Sequence, residues 1–342
     1  MTLHEDGNSL SPYLLLVHHC HSFLPFDPVR AITKLLLPEG FPAHPHSGFS
    51  TVTYCIEGGL CHRDSEGQSM TYGDGDAQWM RAGRGTIHEE MWNLKPFKHI
   101  FKRIEIFQLW INLPSKFKTL PPFVARLKNE DIPVYSSCNK DITIKIIAGS
   151  IQIDDSNVLV GPGNEVTSSP SGIYHLSCQP NTEGVLSIPP HCTVALYIRR
   201  GSVILAKNAE VFRAVRDDQS EEVGSCNLLE FKISTQPSEN QGGGGSGDDM
   251  NQEWLSFSDL SLLSGSSGLD GLLLVGAPLN EPVIWRGPLV QSTPQDFQSS
   301  ANVFNSIGAG AYWDYNLSNA EWTKQCKQVN LQDVISRMRD LE

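Results

Sequence analysis

Short apolar runs separated by glycine-rich turns dominate residues 41–113. One run, at residues 51–56, is followed by the glycine pair at positions 58 and 59. Residues 60–63 form the next run, and a second turn follows them. Runs of β-branched and aromatic residues bounded by glycine predict β-strands joined by hairpins, and no sustained helical period interrupts them. Evenly spaced strands of this kind are typical of a small barrel or sandwich.

A second region with the same pattern begins near residue 142. Its apolar runs predict another set of barrel-like strands, at residues 142–148, 158–161, 172–176, 193–198 and 202–205. Between the two regions lies a stretch with three prolines, residues 121–135, which we interpret as an interdomain linker. The pattern therefore predicts an all-β chain with one domain at residues 1–120 and a second at residues 136–318.

Two further segments depart from the strand pattern. A glycine-rich stretch at about residues 235–250 has too few apolar side chains to bury and is predicted to be a flexible insertion in the second domain. Residues 331–341 alternate apolar and charged side chains at helical spacing. They predict a short C-terminal helix within a tail at residues 319–342.

The charge balance narrows the range of partners. The 342 residues include 26 Lys and Arg against 38 Asp and Glu, a formal net charge of -12. Such a chain has no long-range attraction to nucleic acid or to an anionic membrane, so neither is expected as a direct partner. The apolar runs are too short to span a membrane, and the polar N-terminus lacks the features of a secretory signal. An intracellular location with reduced cysteines is expected.

Two pairs of polar side chains carry the candidate chemistry. His44 and His46 are two residues apart, as are His88 and Glu90 about forty residues later. Residues two apart on a strand point to the same face, so each pair can approach one ion together. Glu89 points to the opposite face and is not expected to take part.

Three imidazoles and one carboxylate suit a first-row divalent metal ion and leave positions open for substrate or dioxygen. The absence of a thiolate argues against a structural zinc site. Taken singly, each histidine is better interpreted as an ordinary hydrogen-bonded residue. The two pairs together, in a glycine-punctuated β context, favour metal binding.

Several longer motifs occur in order along the chain. The first region contains His44-Pro45-His46-x-Gly48-Phe49, His62-Arg63-Asp64-Ser65 and Gln78-Trp79-Met80-x-Ala82-Gly83. Later motifs are Phe107-Gln108-Leu109-Trp110, Ile147-Ala148-Gly149 and Gly276-x-Pro278-Leu279. Together they closely resemble the signatures of the pirin family, in the cupin superfamily, and the likeness covers most of residues 35–318.

The resemblance implies two germin-like cupin β-barrels packed face to face, with one metal ion in the N-terminal barrel. Carried over by position, the ligands are His44, His46, His88 and Glu90. The implied ion is iron(II), with manganese, nickel or zinc as alternatives. The second barrel offers only His175 and His191 as histidines and is expected to be metal-free.

The resemblance is compatible with two functions. The first is a metal-dependent dioxygenase of the quercetin 2,3-dioxygenase type, acting on a flavonol or a similar aromatic enol, with Glu90 as the catalytic proton acceptor. The second is a non-enzymatic, iron-dependent binding protein or transcription cofactor that acts through a protein partner such as a transcription regulator. The resemblance implies a cytoplasmic or nuclear protein, and a monomer is expected.

Two positions beside the predicted ligands depart from the family pattern. Ser47 and Ser50 stand where the family usually has Arg and Glu. Groups that surround metal ligands orient them and tune the ion, and their loss commonly weakens a site without abolishing it. We therefore expect the ligands to be kept and their surroundings to differ.

Overall fold

The computed structural model describes most of both predicted barrel regions. It covers residues 10–23, 39–93, 102–152, 157–188, 191–204, 211–214, 222–231, 258–307, 327–328 and 336. The predicted insertion at 235–250 lies outside the described residues, and of the predicted helix at 331–341 only residue 336 is described. Antiparallel β-strands dominate the described chain, which confirms the all-β prediction.

The first half of the fold consists of two five-stranded sheets. Their strands are β1 (Tyr13–Phe23), β2 (Gly40–His46), β3 (Phe49–Glu57), β4 (Gly59–Asp64), β5 (Gln68–Gly73), β6 (Ala77–Arg81), β7 (Thr86–Trp92), β8 (Lys102–Asn112), β9 (Phe123–Leu127) and the late β23 (Lys327–Gln328). One sheet has the order β1-β8-β3-β6-β9, and the other has the order β2-β7-β4-β5-β23. Among the described strand pairs of these two sheets, β23 alone runs parallel to its neighbour, β5.

The second half is built around one nine-stranded antiparallel sheet. The strands of this half and of its two short ribbons are β10 (Val134–Ser136), β11 (Ile142–Ala148), β12 (Ser150–Gln152), β13 (Val158–Val160), β14 (Ser171–Cys178), β15 (Glu183–Ile188), β16 (Thr193–Ile204), β17 (Val211–Ala214), β18 (Glu222–Gly224), β19 (Leu228–Phe231), β20 (Ser258–Gly276), β21 (Ile284–Arg286) and β22 (Leu289–Gln291). The main path is β10-β11-β14-β20-β16-β19-β17, with β15 on β20 and β18 on β16. The pairs β12–β13 and β21–β22 form the ribbons.

The segment at residues 121–135 was predicted to be a linker, and the structure places strands in it. Strand β9 pairs with β6 along the edge of the first sheet, from Ala77 opposite Leu127 to Arg81 opposite Phe123. Residues 134 and 135 already belong to β10 of the second sheet. Strand β9 is only five residues long, includes Arg126 and follows a pair of prolines, so its pattern alone indicates a loop.

A helix that the sequence analysis did not predict, α1 (Pro294–Ile307), follows the last ribbon. Its N-terminus is capped by Thr293, whose hydroxyl accepts a hydrogen bond from the Asp296 backbone N–H at 3.1 Å and donates to the Asp296 carboxylate. Proline at the first helical position completes a common helix start. In the described part of the chain, no helix combines the length and apolar character needed to cross a membrane.

The two halves pack face to face through a shared apolar core. Val52, Phe107 and Leu109 of the first sheet meet Leu272 and Leu274 of β20 in one buried cluster. Alternation along each strand places these side chains on the face that looks towards the other half. Two further clusters fill the interiors of the individual halves.

A polar network crosses the same interface. The carboxylate of Glu105 accepts hydrogen bonds from the guanidinium of Arg199, and His18 lies 3.0 Å from its Oε1. Arg199 also donates to Asp270 at 2.9 Å, and His175 lies 3.3 Å from the other oxygen of that carboxylate. The network therefore ties β1 and β8 of the first half to β14, β16 and β20 of the second.

A buried lysine ties the turn after β2 to the C-terminal ribbon. The Nζ of Lys118 donates to the carbonyls of Gly48 and Val290 at 2.7 and 3.0 Å and to the side chain of Asn112 at 2.6 Å. Replacing Lys118 by methionine leaves three acceptors without this donor. We expect the free energy of unfolding, measured by urea denaturation, to fall by at least about 2 kcal/mol.

The matched control is Lys116→Met on the same turn. Lys116 is exposed and lies over the ring of Phe117, so its replacement is expected to change stability by about 0.5 kcal/mol or less. Equal destabilisation by the two substitutions would contradict the assigned role of Lys118.

Candidate metal centre

Two neighbouring strands bring the predicted histidines together. Strands β2 and β7 are antiparallel, and His44 lies directly opposite His88. His46 is on the same face as His44, two residues further along β2. Gly48 then turns the chain into β3 with a φ of +84°, where a Cβ atom would collide with the carbonyl oxygen of Val290. Glycine is therefore required at this turn.

The three imidazole rings form a compact triangle. Their centroids are 4.5 Å apart for His44 and His88, 4.7 Å for His44 and His46, and 4.9 Å for His46 and His88. One ligand nitrogen from each ring lies within 4.8 Å of the other two. These three side chains could hold one metal ion.

Burial keeps two of these histidines neutral, which is the form that binds metal. Desolvation, with a smaller effect of His44, lowers the pKa of His46 well below its ordinary value. Desolvation also lowers the pKa of His88, helped by the neighbouring His44, His46 and His62. His44 is half-buried, and its Nδ1 donates to the carbonyl of Pro42 at 2.7 Å. The Nε2 of His44 is then the nitrogen with a lone pair available to a ligand.

The hydrogen bonding of the ring nitrogens shows whether these histidines fit a metal ion. Both ring nitrogens of His46 and the Nε2 of His88 are buried and make no hydrogen bond to any residue that the structure describes. A buried polar atom without a partner costs about 1 to 3 kcal/mol, so such atoms are rare in stable proteins. A divalent ion would give at least one nitrogen of each ring a partner, and the triad therefore fits a metal.

Glu90 is brought to the same barrel interior but is not part of the histidine group. Its carboxylate is fully buried and accepts hydrogen bonds from the hydroxyl of Tyr72 at 2.6 Å, the amide of Gln108 at 2.8 Å and the hydroxyl of Thr53 at 3.1 Å. Burial, followed by the charge of Glu90, raises the pKa of Tyr72 well above its ordinary value, so the phenol stays protonated. Coordination by Glu90 stays a prediction.

His62 and Asp64 form a second layer behind His88 to which the sequence analysis gave no role. The Nδ1 of His62 lies 3.4 Å from the Nδ1 of His88 and 2.9 Å from the amide nitrogen of Gln78. Its Nε2 lies 3.2 Å from the Asp64 carboxylate. The available signal was the spacing of His62 and Asp64, which puts both on one face of β4.

Replacing Asp64 by asparagine is expected to weaken metal binding about 10- to 100-fold, because the imidazole that supports His88 loses its charged partner. The asparagine oxygen can still accept the hydrogen bonds that the Asp64 Oδ1 takes from the backbone of Glu66 and Gln68, so the turn is kept. Competition with a chelating dye measures the affinity. Asp74→Asn is the control, because Asp74 also caps a turn, through the Gly58 N–H. Equal affinity in both variants would contradict the role of Asp64.

The two serines that depart from the family pattern serve other contacts. The hydroxyl of Ser47 donates to the carbonyl of Gly83 at 3.1 Å and lies 3.2 Å from the hydroxyl of Ser300 on α1. Gln291 also donates to it at 2.9 Å. Ser50 is buried within β3, opposite Arg81 of β6. Ser47 therefore joins the turn after β2 to the C-terminal segment.

The two histidines of the second half, His175 and His191, lie in different surroundings. His175 belongs to the network between the halves, with Tyr54 and Asp270 at 3.0 and 3.3 Å. His191 is exposed, with a φ of +61°. The absence of a metal from the second barrel stays a prediction.

Comparison with known proteins identifies relatives over most of the chain. The family model named Pirin matches residues 5–111. A pirin-like protein from Solanum lycopersicum is 32% identical over 282 residues, which are 82% of this chain and 76% of the relative. Pirin-1 from Arabidopsis thaliana is 30% identical over 306 residues, which are 87% of this chain and 86% of the relative.

The fold also resembles that of a solved structure. The crystal structure of a quercetin 2,3-dioxygenase from Acinetobacter baumannii superposes with a TM-score of 0.68 at 26% sequence identity. The match covers 90% of this chain and 89% of the other. Together with the two packed halves, it confirms the predicted pair of cupin barrels.

Proposed function

The chain belongs to the pirin family, and we propose from this premise that it is a mononuclear iron protein that cleaves quercetin-like flavonols with dioxygen. The observation that carries the metal assignment is the pair of buried, unpartnered nitrogens on His46. The quercetin 2,3-dioxygenase named among the similar structures supports the reaction class. Manganese, nickel or zinc would also be accepted by imidazole ligands.

Aromatic side chains beside the histidines suit a planar substrate. The ring of Trp110 is 5.1 Å from that of His46 and stacks on Phe49 at 4.4 Å. Trp285 lies 6.0 Å from Trp110, and both tryptophans are half-buried. Offset aromatic contacts of this kind favour flat, apolar rings over sugars or acids.

Glu90 is the proposed acceptor for the hydroxyl proton of the substrate. Iron held by the histidines would supply the Lewis-acid and redox chemistry that dioxygen insertion requires. Tyr72 and Gln108 each hold one oxygen of the Glu90 carboxylate, so the base is fixed before substrate arrives. Preorganised groups of this kind contribute to catalysis because they need not reorganise during the reaction.

Anaerobic loading with iron(II), followed by exposure to oxygen and quercetin, tests the proposed reaction. We expect loss of the flavonol absorbance with release of carbon monoxide, and no loss in the zinc-loaded protein, which has the same ligands and no redox activity. Compared with the wild type at equal iron content, Glu90→Gln is expected to lose about 100-fold or more in turnover. A fully iron-loaded protein that consumes none of several flavonols would overturn the proposal.

The hydrogen bonds of Glu90 also favour a second candidate, a non-enzymatic binding protein. Three donors already occupy the carboxylate, which leaves it less available as a base. In this case the oxidation state of the iron would control binding to a protein partner such as a transcription regulator. Capture of one purified regulator should then differ between the iron(II) and iron(III) forms. Equal capture by both forms and by the His44→Ala, His46→Ala double variant contradicts metal control.

A further inference from the structure

The interior of the second barrel contains a cavity that no step of the proposed function uses. Its volume is about 650 Å³, within the range of about 300 to 1,000 Å³ that is usual for small-molecule sites. Leu273 and Val275 of β20 line it, whereas Leu274 between them packs into the core shared with the first barrel. The sheet therefore separates this cavity from the first barrel and its metal centre.

One aromatic wall of the cavity is held in a fixed position. The hydroxyl of Tyr174 lies 3.2 Å from both the N–H and the carbonyl oxygen of Ser150. Gly149 and Gly172 lie against this side chain, and a Cβ atom at either position would collide with it. The flat face is thus formed before a ligand arrives, which reduces the entropy lost on binding.

The lining carries no ionisable charge among the described residues. It contains neither an acidic or basic side chain nor a histidine, and its polar groups are hydroxyls, amides and one thiol. Burial raises the pKa of that thiol, Cys192, to about 11, so it is neutral at physiological pH. A charged ligand would lose its hydration here without gaining a counter-ion from the described lining, at a cost of several kcal/mol.

We propose that the second barrel binds an uncharged, largely apolar small molecule with the bulk of a naphthalene derivative or larger. Ile144, Leu273 and Val275 would contact its rings, and Ser150 and Asn164 would meet hydroxyl or carbonyl substituents. This site is separate from the metal centre and does not depend on the proposed dioxygenase activity.

Two fluorescent probes that share one ring framework test the proposal on the full chain. N-Phenylnaphthylamine is uncharged, and anilinonaphthalenesulfonate adds a sulfonate to nearly the same rings. We expect one saturable site for the uncharged probe and at least about tenfold weaker binding of the anion. The His44→Ala, His46→Ala double variant should bind the uncharged probe as the wild type does. Absence of saturable binding, or equal affinity for both probes, overturns the proposal.

Alkylation by N-ethylmaleimide locates the bound probe. Burial raises the pKa of both Cys192 and Cys178 to about 11, and both are half-buried, but only Cys192 lines the cavity. The uncharged probe should slow alkylation of Cys192 several-fold and leave Cys178 unchanged. Equal rates at Cys192 with and without saturating probe would place the probe elsewhere and overturn the assignment.

A charge introduced at the rim provides a second readout without disturbing the core. Val185 lines the cavity and is 57% exposed, and Val160 is 50% exposed on β13 and does not line it. Val185→Lys is expected to tighten binding of the anionic probe and weaken that of the uncharged probe. Val160→Lys should change neither affinity. The same response to both substitutions contradicts the proposed site.

Discussion

Replacing His46 by leucine is expected to abolish metal binding and, at the same time, to stabilise the metal-free protein. The imidazole of His46 is 1% exposed, and neither nitrogen has a hydrogen-bond partner among the described residues. Removing one of the three histidines should weaken metal binding by more than about 100-fold, since loss of a supporting group alone costs up to that much. An apolar side chain of similar size removes the unpartnered atoms and should raise the free energy of unfolding by about 1 kcal/mol.

Thermal unfolding with and without added metal measures both effects. The wild type should gain about 2.7 kcal/mol when free metal is at 100 times its Kd, whereas His46→Leu at the same metal concentration should gain about 0.4 kcal/mol or less. His21→Leu is the control, because His21 is exposed on β1, outside the histidine group. Retention of the metal-dependent shift by His46→Leu would show that the triad is not the binding site. A metal-free variant that is less stable than the wild type would contradict the stated penalty of the buried ring.

The second large effect is expected at Glu105, in the network between the barrels. Its side chain is 1% exposed and faces Arg199, which is 8% exposed, and Arg103 lies 2.8 Å away on the other side. Glu105→Gln removes the negative charge and leaves a buried guanidinium without its main partner. We expect the free energy of unfolding to fall by about 3 kcal/mol. Glu130→Gln is the control, because Glu130 is 74% exposed and its pairing with Lys128 contributes about 0.5 kcal/mol or less.

The pH dependence of this effect has a definite sign. Burial by itself would raise the pKa of Glu105, but the hydrogen bonds from Arg199 and His18 and the charges of Arg199 and Arg103 hold it at about 2, below the ordinary 4.5. The stabilisation is therefore complete above a pH of about 4.5 and is lost as the pH falls towards 2. The stability difference between wild type and Glu105→Gln should be constant near neutral pH and shrink below about pH 4.5. A difference that persists unchanged to pH 3 would contradict ionic pairing as its cause.

Most of the strand architecture could be predicted from local pattern. A strand exposes its side chains on alternate faces with a period of two, so strands such as β3, β4 and β14 can be predicted from neighbouring residues. The glycines between the strands mark the turns. Strand β9 and helix α1 were missed for a different reason. The run of β9 is short and follows two prolines, and the capping signal of Thr293 and Asp296 precedes a helix with many polar residues. Pairing with β6 and packing of α1 near β22 stabilise these elements.

The candidate site, like the strands, was predictable from the sequence only in part. Because residues two apart share a face, the sequence by itself determined that His44 joins His46 and that His88 joins Glu90. The register of β2 against β7 then decided that His44 stands opposite His88, and contacts from β5 and β8 decided that the Glu90 carboxylate is held by Tyr72 and Gln108. These partners come from separate strands, so no local pattern could predict them.

The interface between the barrels and the cavity of the second barrel depended entirely on tertiary structure. Glu105 and Arg199 are 94 residues apart, and no spacing in the sequence relates them. The cavity exists because distant strands leave a space between them, and the lack of charge among its described lining residues depends on which strand faces meet. The sequence determined the strands, the same-face pairs and the family, since these depend on neighbouring residues. Only the tertiary structure decided which of these faces meet, since that depends on packing among residues distant in the chain.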